Sequence, residues 1–222
     1  MATQIERAVT IPLDRRIDIN GDLAVPDSPT GVAVFAHGSG SGRHSPRNRL
    51  VASYLQIRGL ATLLIDLLTE AEEQVDLRTR HLRFDVELLA GRLAGAASWC
   101  SSQPELSRLQ IGYFGASTGA AAALIAAADQ PEGVGAVVSR GGRPDLAGDR
   151  LPEVKAPTLL IVGGRDEVVL DLNRQAERRL GAPTRLVVVP GATHLFEEPG
   201  ALEQVSQLAG DWMVEHLGST AG

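Results

Sequence analysis

One stretch constrains the fold more than any other. Gln110-Ile111-Gly112-Tyr113-Phe114 is a short, mostly apolar run that reads as a strand. Ala120 to Ala128, nine residues of alanine, leucine and isoleucine, are strong helix formers. Between them lies Gly115-Ala116-Ser117-Thr118-Gly119. A chain passing from strand to helix this sharply needs glycines on both sides of the apex, because any Cβ there would meet the neighbouring backbone. The apex residue, Ser117, then holds its hydroxyl out at the carboxyl end of a sheet.

The remainder of the chain suits that geometry. Residues 5–13 and 16–25 read as two antiparallel strands, with a turn at Arg15-Arg16 and a tighter one at Asn20-Gly21. Val32-Ala33-Val34-Phe35-Ala36 is continuously apolar, as expected of a strand buried on both faces. Ser45-Pro46 opens a helix that runs to about Arg58, and a second buried strand covers residues 61–65. Residues 66–79 read as a long polar connection, and 80–101 as one long helix with Leu82, Val86, Leu89, Leu93, Ala96 and Cys100 on one stripe. Further strands are expected at 135–138, 158–162 and 184–189. A helix is expected at 170–180, and another follows Pro199. Strands alternating with helices predict an α/β domain: a mostly parallel twisted sheet, antiparallel at its N-terminal edge, with helices on both faces. We expect a single domain over residues 1–222, with its core at about 16–217.

Composition narrows the function. A net charge of −6 argues against a nucleic-acid binder. No apolar run approaches a membrane span, and the first residues lack a basic, then apolar, leader. Cys100 is the single cysteine, which fits a reducing compartment, so a cytoplasmic location is expected. No histidine pair has metal-ligand spacing on a helix, and no metal or cofactor is expected. Gly38-Ser39-Gly40-Ser41-Gly42 lacks a P-loop lysine, and Arg43 stands where a dinucleotide fingerprint needs glycine.

Serine is a poor nucleophile until a base sits within hydrogen-bond reach and an acid orients that base. Two later strands end in suitable residues: Asp166 after 158–162, and His194 after 184–189. The chain order Ser117, Asp166, His194 is the one this architecture imposes. Asp166 could instead cap a helix, with Glu167 or, less favourably, Asp66 as the acid. Oxyanion donors are expected from the Thr118 amide and the Ser39 amide, with Gly40 as second choice for the latter. His37 reads as a loop brace, and His44, His81 and His216 as exposed. Arginines crowd the strand ends, and Arg43 or Arg140 is the candidate ligand for a carboxylate or phosphate on a substrate. The competing role for these arginines is to brace loops against Glu70, Glu72, Glu73, Asp76 and Asp145.

With these residues in place, the chain resembles the α/β-hydrolase superfamily, and within it the dienelactone-hydrolase-like branch, which has no large cap domain. The resemblance rests on His37-Gly38-Ser39-Gly40-Ser41-Gly42-Arg43-His44, Gly112 to Gly119, Gly163-Gly164-Arg165-Asp166 and Gly191-Ala192-Thr193-His194-Leu195-Phe196. It implies hydrolysis of a small carboxylic ester or lactone through an acyl-enzyme, without a cofactor. Dienelactone hydrolases proper use a cysteine nucleophile. Serine at position 117 therefore favours a general ester or lactone over dienelactone itself. Related acyl-transfer activities (thioesterase, amidase, acyltransferase, perhydrolase) share the triad, and a non-catalytic binding domain shares the fold. Relatives of this serine type resemble domains joined to phosphoribosyltransferases, for which 222 residues leave no room. A small-molecule substrate is the expected partner, with neither nucleic acid nor membrane, and a homodimer is compatible.

Overall fold

A computed structural model describes residues 5–14 and 17–218. The expected turn at Arg15-Arg16 lies outside the described residues. One eight-stranded sheet runs through the molecule in the order β1-β2-β4-β3-β5-β6-β7-β8. Its strands are β1 (Ile5–Pro12), β2 (Asp18–Val25), β3 (Val32–Ala36), β4 (Ala61–Ile65), β5 (Ile111–Ala116), β6 (Val134–Arg140), β7 (Thr158–Gly163) and β8 (Thr184–Val189). β1 pairs with β2, and β2 with β4, in antiparallel fashion; every other pairing is parallel. The helices are α1 (Pro46–Ile57), α2 (Glu70–Thr79), α3 (Val86–Ser102), α4 (Thr118–Asp129), α5 (Glu167–Glu177) and α6 (Ala201–Leu217). This is the α/β-hydrolase arrangement, and no cap domain appears among the described residues.

Alternation along the strands builds two apolar layers. In β3, Val32, Val34 and Ala36 face α3 and α4, while Ala33 and Phe35 face α1 and α6. In β5, Tyr113 joins the first layer and Phe114 the second. A one-residue slip would exchange the layers, so register is strongly specified. Each fully buried large side chain contributes about 1.5–3 kcal/mol. Tyr113, buried with them, keeps its hydroxyl satisfied by donating to Gln130 Oε1 at 2.7 Å.

Three local expectations are corrected. Asn20-Gly21 is no turn: both residues lie within β2, where a Cβ on Gly21 would meet Leu63, Val9 and Ile11 at 3.0–3.3 Å. Residues 70–79 are the helix α2 rather than a connection. The side chain of Thr69 accepts from the Glu72 amide while Glu72 accepts from the Thr69 amide, a reciprocal cap written in the sequence as Thr-x-x-Glu. Finally, the helix expected from residue 80 starts only at Val86, capped by Asp85. Arg80 takes a left-handed conformation (φ 57°) that ends α2, and Leu82–Phe84 forms one 3-10 turn. Buried Asp76 organises this break by accepting from the Leu82 and Arg83 amides and pairing with the Arg83 guanidinium.

Candidate active site

Ser117 sits at the apex of the β5–α4 turn with φ 52° and ψ −119°, a conformation rarely adopted by a residue bearing a side chain. The flanking glycines explain how this is tolerated. A Cβ on Gly115 would lie 2.4 Å from Ala120 Cα, and one on Gly119 would lie 2.3 Å from the Ala36 carbonyl oxygen. The apex is tied to β6: the Ser117 amide donates to the Arg140 carbonyl at 3.2 Å, and the Arg143 amide donates to the Ser117 carbonyl at 3.1 Å.

His194 comes from the loop after β8, and Asp166 from the end of β7. Gly163 lets these ends approach, since a Cβ there would meet the Ala192 and Thr193 carbonyl oxygens at 2.5–2.6 Å. Arg165 then donates its amide to the Ala192 carbonyl at 2.9 Å, pinning one loop to the other. His194 Nδ1 lies 2.6 Å from Asp166 Oδ2. Asp166 precedes α5, yet its side chain makes no capping bond; it is turned to the imidazole. Glu167 is exposed, and Asp66 is engaged with Arg43. With Nδ1 donating to the carboxylate, Nε2 is left as an acceptor. Ser117 and His194 line one cleft. Among the described residues no hydrogen bond joins them, and such bonds commonly tighten only when substrate is bound.

The loop after β3 passes beside the nucleophile. A Cβ on Gly38 would come within 3.1 Å of the Ser117 Cβ, so glycine permits the close approach. Among the described residues, neither the Ser39 nor the Thr118 amide meets an acceptor. His37 is buried; Nε2 accepts from the Leu67 amide at 3.1 Å, and Nδ1 lies 2.9 Å from the Gly38 carbonyl. Burial lowers its pKa below the usual histidine value. It therefore braces this loop against the β4–α2 connection. His44 and His81 are exposed as expected, but His216 is half-buried with its ring edge-on to Trp212 at 4.4 Å, which corrects that expectation.

Two clefts flank this loop. One, of about 460 Å³, has apolar walls from Leu67, Leu68, Leu77 and Leu89 and reaches Thr118. The other, of about 230 Å³, holds Ser117, His194, Arg47, Asn48 and Arg140. The two arginines singled out in the sequence differ sharply. Arg43 is held by Asp66 and Asp22. Arg140 is buried, and among the described residues it has no carboxylate partner; its guanidinium lies 5.9 Å from the centre of the Phe196 ring.

Comparison with known proteins places this geometry. The sequence signature of the Dienelactone hydrolase family matches residues 19–212. The chain belongs to the dienelactone hydrolase family. A dienelactone hydrolase from Anabaena variabilis is 58% identical to it, covers 96% of this chain and 99% of its own, and superimposes with a TM-score of 0.94. Est1E from Butyrivibrio proteoclasticus, at 16% identity, shares the fold over 94% of this chain and 98% of its own, with a TM-score of 0.78. A Mycobacterium tuberculosis protein provisionally named a phosphoribosyl transferase is 61% identical over 201 residues. That match takes in 90% of this chain but 44% of the relative, so the chain spans under half the length of the curated relatives it matches. Membership of this family supports hydrolase activity.

Two features of this family member were missed in the sequence. Both carboxylate oxygens of Glu198 accept the Thr193 amide at 3.1 Å, clamping the loop that carries His194. These bonds hold the Glu198 carboxyl below the usual carboxylate range. No short-range pattern marks it. The second is the wall that α2 supplies to the larger cleft, which the Thr69-x-x-Glu72 cap would have revealed.

Proposed function

We propose that this chain is a serine hydrolase acting on small carboxylic esters or lactones. The observation that carries the reading is the 2.6 Å contact between His194 Nδ1 and Asp166, on an imidazole that shares a cleft with the strained Ser117. Ser117 Oγ attacks the ester carbonyl while His194 Nε2 takes its proton. Asp166 stabilises the imidazolium so formed. The Ser39 and Thr118 amides donate to the oxyanion, each contributing roughly 3 kcal/mol in sites of this kind. Collapse expels the alcohol, which receives the proton from His194; in a lactone the alcohol stays tethered to the acyl group. Water then repeats the sequence on the acyl-enzyme and returns the free serine and an acid.

Serine at the elbow supports a general ester or lactone as substrate. Labelling with a fluorophosphonate probe and hydrolysis of 4-nitrophenyl acetate test the reading. Ser117→Ala should abolish labelling and lower kcat by roughly 10⁴- to 10⁶-fold. A wild-type protein that is neither labelled nor active would point instead to a binding domain.

A further inference from the structure

We propose that Asn173 is a positioning residue for the proposed triad, its side-chain amide tying the helix that carries Asp166 to the turn that holds Ser117. The proposal rests on the serine-hydrolase reading and adds to it a residue remote from the reacting atoms.

The turn is Arg140 to Arg143, where β6 ends. Both of its ends hold the nucleophile: the Arg140 carbonyl accepts from the Ser117 amide at 3.2 Å, and the Arg143 amide donates to the Ser117 carbonyl at 3.1 Å. Its middle borders the base. Gly141 has φ 52°, and a Cβ there would lie 3.2 Å from the His194 carbonyl oxygen and 3.5 Å from its ring Cε1. Gly142 is packed against β6 and the start of α4, where a Cβ would lie 2.0 Å from Ser139 Oγ and 2.6 Å from Ala120 Cβ. This turn has little room to move without carrying Ser117 along or pressing on His194.

The acid reaches the same turn through Asn173. Asp166 stands at the head of α5, and Asn173 lies about two helical turns further along the same face. Asn173 is fully buried; its Nδ2 donates to the Val169 carbonyl at 2.8 Å, within α5, and to the Gly142 carbonyl at 3.0 Å, across to the turn. Both partners are carbonyl oxygens, which only accept, so the NH₂ end of the amide faces them. Among the described residues no backbone amide donates to the Gly142 carbonyl, so the side chain of Asn173 satisfies it.

Packing alone would favour another residue here. Asparagine is a poor helix former, and Asn173 Oδ1 is buried without a partner. The other buried residues of α5, Val169, Leu170 and Ala176, are apolar. What only a donor can supply at position 173 is the bridge to Gly142. That bridge fixes α5, and with it Asp166, against the turn beside which His194 Nδ1 meets the carboxylate at 2.6 Å.

The test is Asn173→Leu, which keeps the bulk and removes the donor, assayed with 4-nitrophenyl acetate well below its Tm. Displacing a catalytic group by about 1 Å costs on the order of 10²-fold in rate, so kcat should fall by about 10- to 100-fold. KM should stay within about twofold, because Asn173 lines neither cleft beside the Ser39 loop. A purely structural role would lower Tm and leave kcat of the folded protein unchanged. Nitrogen-15 NMR of the His194 imidazole, detected through its carbon-bound ring protons, gives a second readout. Asp166→Asn identifies the signal by moving the Nδ1 shift, and Asn173→Leu should move it in the same direction. A kcat within about twofold of wild type, a change confined to KM, or an unmoved Nδ1 shift overturns the proposal. Should Asn173→Leu fail to fold by circular dichroism, Asn173→Ser takes its place, because its shorter hydroxyl is drawn to the Val169 carbonyl of its own helix; the same outcomes decide. If wild-type protein hydrolyses no ester, the hydrolase reading has failed separately. The Nδ1 shift then decides alone: moved by Asn173→Leu it supports the positioning role, unmoved it overturns it.

Discussion

Asp166→Asn isolates the contact on which the proposed chemistry depends. The substitution keeps size and shape but removes the charge that faces His194 Nδ1 at 2.6 Å. The proposed mechanism makes His194 cationic only while the proton is in transit, so the attraction acts on the transition state and not on the resting enzyme. Unit charges 2.6 Å apart attract by about 6 kcal/mol at an effective dielectric of 20. Asp166 is well shielded, with 16% of its side chain exposed, but His194 at 38% is not, and water screens part of the attraction. A surviving effect of about 4–5 kcal/mol corresponds to roughly 10³- to 10⁴-fold in kcat. An asparagine can also present its amide N–H to Nδ1, imposing the wrong tautomer, which acts in the same direction. The assay is steady-state hydrolysis of 4-nitrophenyl acetate, with circular dichroism to confirm folding. Glu167→Gln, one residue along and exposed, is the control and should change kcat by less than about twofold. A loss below tenfold in Asp166→Asn, or an equal loss in Glu167→Gln, would refute the assignment of the acid.

Gly119→Ala should destabilise the fold by about 3 kcal/mol or more, because its Cβ would meet the Ala36 carbonyl at 2.3 Å. Gly133→Ala, whose nearest atoms would be 3.7 Å away, should leave Tm nearly unchanged, and equal Tm values for both variants would contradict the packing argument. His37 gives an acid-sensitivity test. Its folded pKa lies below the ordinary 6.5, so the unfolded chain binds the proton more readily. The stability it contributes is complete above pH 6.5 and is lost as pH falls below that value, by up to about 1.4 kcal/mol per pH unit. Urea unfolding between pH 5 and 7.5 should show this slope reduced in His37→Gln; parallel curves would remove His37 as the source.

What short-range rules govern was legible in the sequence. Residues 32–36 announce a strand buried on both faces, and Gly115 and Gly119 announce the elbow, because steric limits on a few consecutive residues leave no other use for them. Strand ends followed by Asp166 and His194 place both residues on one rim once the sheet is parallel. The misreadings were local as well. Asn20-Gly21 carries a turn signal that the register of β2 between β1 and β4 overrides, and the acidic stretch around residue 73 hides a capped helix.

Tertiary structure alone decided the pairings. The sequence holds many arginines and acids near the strand ends, and nothing local says which will meet. Arg43 finds Asp66 across 23 positions and Arg47 finds Glu197 across 150, while Arg140, on a strand buried between its neighbours, faces the cleft with no carboxylate partner among the described residues. Secondary structure follows from sterics and periodicity over a few residues. The charge left unneutralised in a pocket depends on which distant side chains the packed sheet brings within reach.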